Sequence, residues 1–364
     1  MGLTEAEAAA VHTSVEARSI FREYDIILVC DAGGGTTDIS LLEVTNCRNG
    51  ALSMSQLHTV FGGEVGATAI DVEFRALAQK RLSQMDPTTA LRAPLETISW
   101  DLMKSRDYQD SKCMFGDLDN DTGYFFVRIP GLNDAYSNPR LRISRGHMRF
   151  DQHELQAIFD KQIERIFAFI EHQLQRMQRK WSSRELHHLI LSGGLGNSEY
   201  VQNRLRMRYG SGSTGHANTR NVNVTIAPDP QLVVCKGVVA DRARKLKSGS
   251  PVLYQRCCRA SYGIACKELY NEQNPLHRNR PQEKDPQDGK LYVPDSIVWF
   301  VRKGEAVALK RPVMHTFKRK LSPGDPRCVF PTSIMVCNLD PEFLPHSRQT
   351  PWKDFATFVQ ICLQ

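Results

Sequence analysis

No apolar run in this chain approaches the length of a bilayer span; the longest candidate is the short "IILVC" of residues 26–30. The first residues, "MGLTEAEAAAVHTSVEA", are acidic and helix-forming, and lack the basic-then-apolar order of a secretory leader. "MGLTEA" also lacks the Ser or Thr expected at the sixth position of a myristoylation signal. Ten cysteines are present, but none is arranged as paired C-x-x-C, so Cys257, Cys258 and Cys266 do not read as a zinc site. Cys30 and Cys235 lie in apolar runs and read as small core residues. Free thiols without an export signal point to the cytoplasm or nucleus. Basic residues exceed acidic ones by seven, yet they are dispersed and no aromatic-basic repeat accompanies them. Solvated faces, not a nucleic-acid surface, are expected.

What is present is a chain of 364 residues with a globular balance, 41% hydrophobic and 24% charged, enough for two or three domains. Thr4 can cap a helix over residues 4–18. Residues 26–30, 39–44 and 52–60 read as strands of an antiparallel meander. The period turns helical at 67–82, where Ile70, Phe74, Leu77 and Leu82 lie near one face. A second helix is expected at 95–105, then strands in "GYFFVRIP" and "RLRISRGHMRF". Asp151 opens a long amphipathic helix that ends near Lys180. Strand, glycine turn and helix follow from His187, then a short strand, a Pro-Asp-Pro turn and a small-residue helix. Residues 245–251 read as a linker. Beyond it helical periodicity ceases, and "SIVWFVRKG", "EAVALKRPVMHTF" and "TSIMVCNL" read as strands of a separate β-rich domain.

Two strands run into glycines, at Gly33, Gly34 and Gly35 and at Gly193 and Gly194. A hairpin needs only two turn residues. Glycine lets a backbone approach a phosphate, and successive N–H groups in such a turn form an anion-binding nest. Thr36 and Thr37 add hydroxyls. Asp31 and Asp38 only accept hydrogen bonds, so beside a phosphate they need a cation, most naturally magnesium through water. A tight hairpin with incidental carboxylates explains the same residues, because isolated glycine motifs are weak signals.

The order of motifs separates the two. "DAGGGTTD" resembles the second phosphate loop, D-x-G-G-G-T-x-D, of the actin-like ATPase fold as used by heat shock 70 kDa chaperones. "LTEAEAAAVHT", "FGGEVG", "WDLMKS", "LILSGGLGNSEYVQNRL" and "APDPQLVVCKGVVA" resemble further family segments in the family's order, over roughly residues 3–245. "IFDKQIERI" and "SYGI" are most similar to the divergent branch that includes heat shock 70 kDa protein 12-like sequences. The resemblance implies an α/β actin-like ATPase (ribonuclease H-like) lobe two at 25–66 and 151–246. It also implies an inserted α+β subdomain at 67–150, a piece of lobe one at 1–24 and a β-rich substrate-binding-like domain at 247–364.

It further implies that Gly33, Gly34, Gly35 and Thr36, with Thr37 beside them, hold the phosphates of ATP or ADP, while Asp31 and Asp38 order water around Mg2+. Glu5 falls where the family has a carboxylate near the metal and the attacking water. Gly63 and Glu64 fall near the ribose, Asp101 and Lys104 on the adenosine clasp, and Gly193, Gly194 and Asn197 on the adenine side with Asp229 behind. Departures are visible: Leu195 stands for a serine, Asn197 for the stacking arginine, Asp101 for a glutamate and Tyr108 for a small hydroxyl residue. The family's first phosphate loop has no counterpart before Glu5. A truncated form is therefore expected, hydrolysing ATP only as part of a complete parent, with residues 3–20 presenting an exposed apolar face. Chaperone-type ATP binding, with extended peptide clients and co-chaperones, stands against a nucleotide-independent interaction module that keeps the fold.

Overall fold

A computed structural model describes residues 3–16, 20–47, 52–86, 91, 93–117, 123–210, 212, 218–309, 311–318, 320, 330–348 and 356–363. The protein is mixed α/β, with seven α-helices and several sheets among these residues. Its contacts form two compact units, residues 1–54 with 60–252, and residues 55–59 with 253–364.

The first unit begins with helix α1 (Glu5–Glu16). Thr4 caps it as the sequence implies: its Oγ1 accepts from the Glu7 N–H at 3.2 Å, and its own N–H donates to the Glu7 carboxylate at 2.8 Å. Strands β1 (Ile26–Ala32), β2 (Thr37–Asn46), β3 (Ser53–Gln56) and β4 (Phe61–Gly63) follow. Helices α2 (Ala67–Leu82), α3 (Leu95–Lys104) and α4 (Arg106–Cys113) precede the small sheet of β5 (Tyr124–Arg128), β6 (Ile143–Ser144) and β7 (His147–Asp151). The long α5 (Gln152–Lys180) leads to β8 (His188–Ser192), α6 (Glu199–Tyr209), β9 (Asn223–Ile226) and α7 (Val233–Ser248). The main sheet runs β3-β2-β1-β8-β9, with β4 also on β2. β1 and β2 are antiparallel, whereas β1, β8 and β9 are parallel. Buried on both faces, β1 is a continuous apolar run up to Asp31.

Helix α1 corrects one expectation. Residues Ala6 to Ser14 are all buried, and the helix packs on α7, β1 and β2 instead of exposing an apolar face. The contact is backbone-close: a Cβ on Gly237 of α7 would lie 1.9 Å from the Ala8 carbonyl oxygen. Two further expectations fail nearby. Helix α7 continues to Ser248, into the segment read as a linker. Cys235 is exposed on α7, because the small-residue run around it belongs to a helix with a solvent side; Cys30 is fully buried, and burial pushes its thiol up.

The helices and strands of 67–151 form a core of aromatic rings. Tyr108 stacks on Phe74 with centroids 3.6 Å apart and planes at 11°, and Phe74 meets Phe150 at 4.6 Å. Tyr108 is fully buried, so its ring serves packing here.

At the opposite end of β1 from the glycines, His188 is 7% exposed and its Nε2 lies 3.1 Å from Asp25 Oδ2. Burial lowers its pKa, and the attraction of Asp25 works the other way. The folded state therefore prefers neutral imidazole, and the unfolded chain binds more protons below the ordinary histidine pKa. Stability is expected to fall as pH drops from 7 to 5, and His188→Gln to lose that part of the slope, as a difference between melting curves.

The second unit carries β10 (Leu253–Cys257), β11 (Ser261–Leu269), β12 (Glu283–Lys284), β13 (Leu291–Val301), β14 (Ala306–Ala308), β15 (Phe330–Cys337) and β16 (Ala356–Leu363). Five of them form a sheet in the order β12-β13-β11-β15-β16, and β10 pairs antiparallel with β14. No α-helix occurs here among the described residues. The strand expected over 305–317 is only the three residues of β14; Pro312, which has no N–H for a ladder, stands in the irregular stretch that follows. Residue 310 of that stretch lies outside the described residues.

Candidate functional site

Parallel pairing of β1 with β8 brings both glycine turns to the same edge of the sheet, since both strands end there. Ligands of open α/β sheets bind at such carboxyl ends. The register sets Asp31 opposite Asp38 on one side and opposite Ser192 on the other. Ser192 Oγ donates to Asp31 Oδ1 at 2.9 Å, and both side chains are buried. Burial raises the Asp31 pKa, the Ser192 hydrogen bond works against this, and the charges of Glu5 and Asp38 add to it. Glu5, Asp31 and Asp38 therefore share one electrostatic neighbourhood, although they come from α1, β1 and β2.

The loop 33–36 joins β1 to β2. The Gly33 N–H donates to the Thr36 carbonyl at 2.9 Å, which closes the turn. Behind it, the first N–H groups of α2 hold the loop carbonyls: Ala67 to Gly33 at 3.2 Å and Thr68 to Gly34 at 2.8 Å. Gly66 must be glycine, because a Cβ there would lie 2.5 Å from the Gly34 oxygen. Among the described residues the N–H groups of Gly34, Gly35 and Thr36 find no partner, and these three residues are exposed. A Cβ at Gly34 or Gly35 would meet nothing within 4 Å. The loop is thus a tied-down turn whose unpaired donors sit at the surface beside a buried carboxylate.

Thr37 is different. It is buried, and its hydroxyl donates to the Val65 carbonyl at 2.7 Å, so it braces the strand and does not reach the loop mouth. Gly62 and Gly63 pair with Asp38 and Thr37, and a Cβ on Gly62 would lie 2.0 Å from the Thr37 oxygen. This glycine pair seals β4 onto the loop strand. Glu64 is exposed beyond it, its carbonyl taking a hydrogen bond from Arg165 at 2.9 Å.

The second turn locks onto the first. Gly193 has φ of +86°, and a Cβ there would lie 2.3 Å from the Ala32 oxygen. The N–H groups of Leu195 and Gly196 donate to that same oxygen at 2.9 and 3.1 Å. Gly194 and Asn197 are exposed, whereas Leu195 is 4% exposed and fills the core. Asp229, with φ of +46°, is exposed and ion-paired with Lys236. Asp101 and Lys104 stand exposed on α3; Lys104 lies 5.2 Å from the Trp100 ring, and no hydrogen bond links either residue to the glycine turns.

Residues not singled out in the sequence complete the surroundings. Ser192 precedes the second glycine pair and holds Asp31. A cavity of about 620 Å3 opens from Gly35 and Thr36 between α2 and α5, and Lys161 and Arg165 line its α5 side. Charged residues on the polar side of an amphipathic helix read as a solvated face, so nothing in the sequence marks these two.

No group of three or more His, Cys, Asp or Glu side chains among the described residues is placed to cage a metal ion. The Asp31 and Asp38 carboxylates suit a hydrated cation, and the open cradle at Gly34 and Gly35 suits a phosphate.

By class, this is a mixed α/β chain with a glycine-turn pair at one sheet edge. A family of unknown function (DUF8568) matches residues 256–334, inside the second unit. No curated protein matches the chain. No helix among the described residues is long and apolar enough to cross a membrane.

Proposed function

We propose that the first unit is a lobe of the actin-like ATPase fold, and that loop 33–36 takes the phosphates of Mg-ATP or Mg-ADP as in heat shock 70 kDa-type chaperones. The supporting observation is the set of unpaired N–H groups on Gly34, Gly35 and Thr36, held in place from behind by α2 and flanked by Asp31 and Asp38. Gly34, Gly35 and Thr36 would hold the phosphates, Asp31 and Asp38 the magnesium through water, and Glu5 would stand near the attacking water. Magnesium would neutralise the phosphates, and hydrolysis belongs to the complete family form, because phosphoryl transfer needs charge stabilisation from both sides of the phosphate. Extended peptide clients held by strand addition on the second unit, co-chaperones and a cytoplasmic setting belong to the same proposal.

Melting in millimolar Mg-ATP tests it. Ligand at a hundred times Kd stabilises by about 2.7 kcal/mol, or roughly 5–10 °C in a unit of this size. Gly34→Val is expected to fold with an unchanged melting temperature in the absence of nucleotide, since its side chain meets open space, and to lose the shift. The buried Leu195, in place of a hydroxyl donor, favours the alternative of a nucleotide-independent interaction module. An unshifted wild-type melt would overturn the nucleotide-binding reading.

A further inference from the structure

The cavity beside the loop carries a second charge set. Lys161 and Arg165 are four residues apart on α5, so they share a face about 6 Å apart along the helix axis. They line one cavity with Thr68 and Val72 of α2 and with Gly35 and Thr36 of the loop. Arg165 donates to Glu64 O at 2.9 Å and to Gln162 Oε1 at 3.0 Å, which fixes its guanidinium at the groove wall and leaves further donors unused. The Lys161 side chain is 60% exposed and, among the described residues, pairs with Glu73, which also lines the groove. Backbone donors of Gly35 and Thr36 and the cations of Lys161 and Arg165 line the same cavity, a donor set that suits a chain of oxyanions.

The residues expected to clasp a base do not build a matching slot. Asn197 and Asp101 are exposed, Lys104 sits by Trp100, and Asp229 is ion-paired with Lys236.

Resting on the phosphate reading above, we propose that the site recognises a linear oligophosphate laid along the α2–α5 groove. Lys161 and Arg165 anchor it, and the base contributes little. The chemistry is shared by a nucleoside triphosphate and by inorganic triphosphate. Glu73 competes with the ligand for Lys161.

The test is calorimetric titration of the full chain with Mg-ATP, Mg-GTP and magnesium tripolyphosphate, singly and in competition. Similar Kd values and mutual displacement are expected. Lys161→Ala and Arg165→Ala are each expected to weaken all three ligands about tenfold, the loss of one charge-assisted hydrogen bond. Glu73→Gln is expected to tighten them several-fold. Lys161→Ala removes an exposed side chain, so its melting temperature in the absence of ligand should match wild type. If Mg-ATP binds but tripolyphosphate does not displace it, or if Lys161→Ala and Arg165→Ala keep the wild-type Kd, the oligophosphate track is overturned while the loop reading stands. If wild type binds none of the three, the loop reading fails and the track with it.

Discussion

Gly237→Ala is expected to destabilise the first unit by about 2 kcal/mol or more, although alanine is the better helix former. In an isolated helix the change would gain about 1 kcal/mol. Here the new methyl would lie 1.9 Å from the Ala8 carbonyl oxygen, a backbone atom that no rotamer change can move. The helices must separate by more than an ångström. All of α1 from Ala6 to Ser14 is buried, so separation loosens packing on β1 and β2 as well. Overpacking typically costs about 1–3 kcal/mol and occasionally more; a backbone clash this close lies at the upper end and outweighs the propensity gain. Thermal melting, with hydrogen exchange in α1, measures it. A melting temperature equal to or above wild type would show that α1 is not held against α7 in this way.

Asp31→Asn is expected to move stability and binding in opposite directions. The folded state raises the Asp31 pKa, chiefly by burial, so the ionised carboxylate is disfavoured by folding. A raised carboxylate pKa means that stability is greatest below the ordinary carboxylate pKa and declines as pH rises through the folded value. Asparagine is neutral throughout, and its side-chain oxygen can still accept from Ser192 Oγ. The variant should melt above wild type near pH 7, and the gain should vanish toward acid pH. The same substitution removes a charge proposed to hold magnesium, so the Mg-ATP shift should disappear. A variant that is less stable at neutral pH would contradict the electrostatic account. One that is more stable and still binds would separate Asp31 from the metal. A buried carboxylate kept at a stability cost is common at functional sites.

These two positions show how differently sequence and structure inform. The glycine motif at 33–35, the helix at 67–82 and the long helix from Asp151 to Lys180 were legible, because local period and turn chemistry specify them over consecutive residues. Capping by Thr4 was legible for the same reason. The burial of α1 was not, because small alanines carry no strong period and their fate depends on Gly237, more than two hundred residues away. Cys235 misled for a related reason: an apolar run does not say which side of a helix faces water. The strand expected over 305–317 stops at Ala308, because alternation competes with Pro312, which has no N–H for a ladder.

The candidate site divides along the same line. By itself the sequence determined that two glycine turns follow apolar strands, with Asp31 and Asp38 at the ends of the first. Only the tertiary structure decided that the turns meet, since parallel pairing of β1 with β8 is a non-local choice of register. It alone set Ser192 against Asp31, turned the hydroxyl of Thr37 into the core and left Gly34, Gly35 and Thr36 with unpaired donors. It also aligned Lys161 and Arg165 with that loop. The physical reason is reach: turn and helix preferences act over a few residues, whereas charge, burial and hydrogen bonding act between whatever side chains the fold brings within a few ångströms.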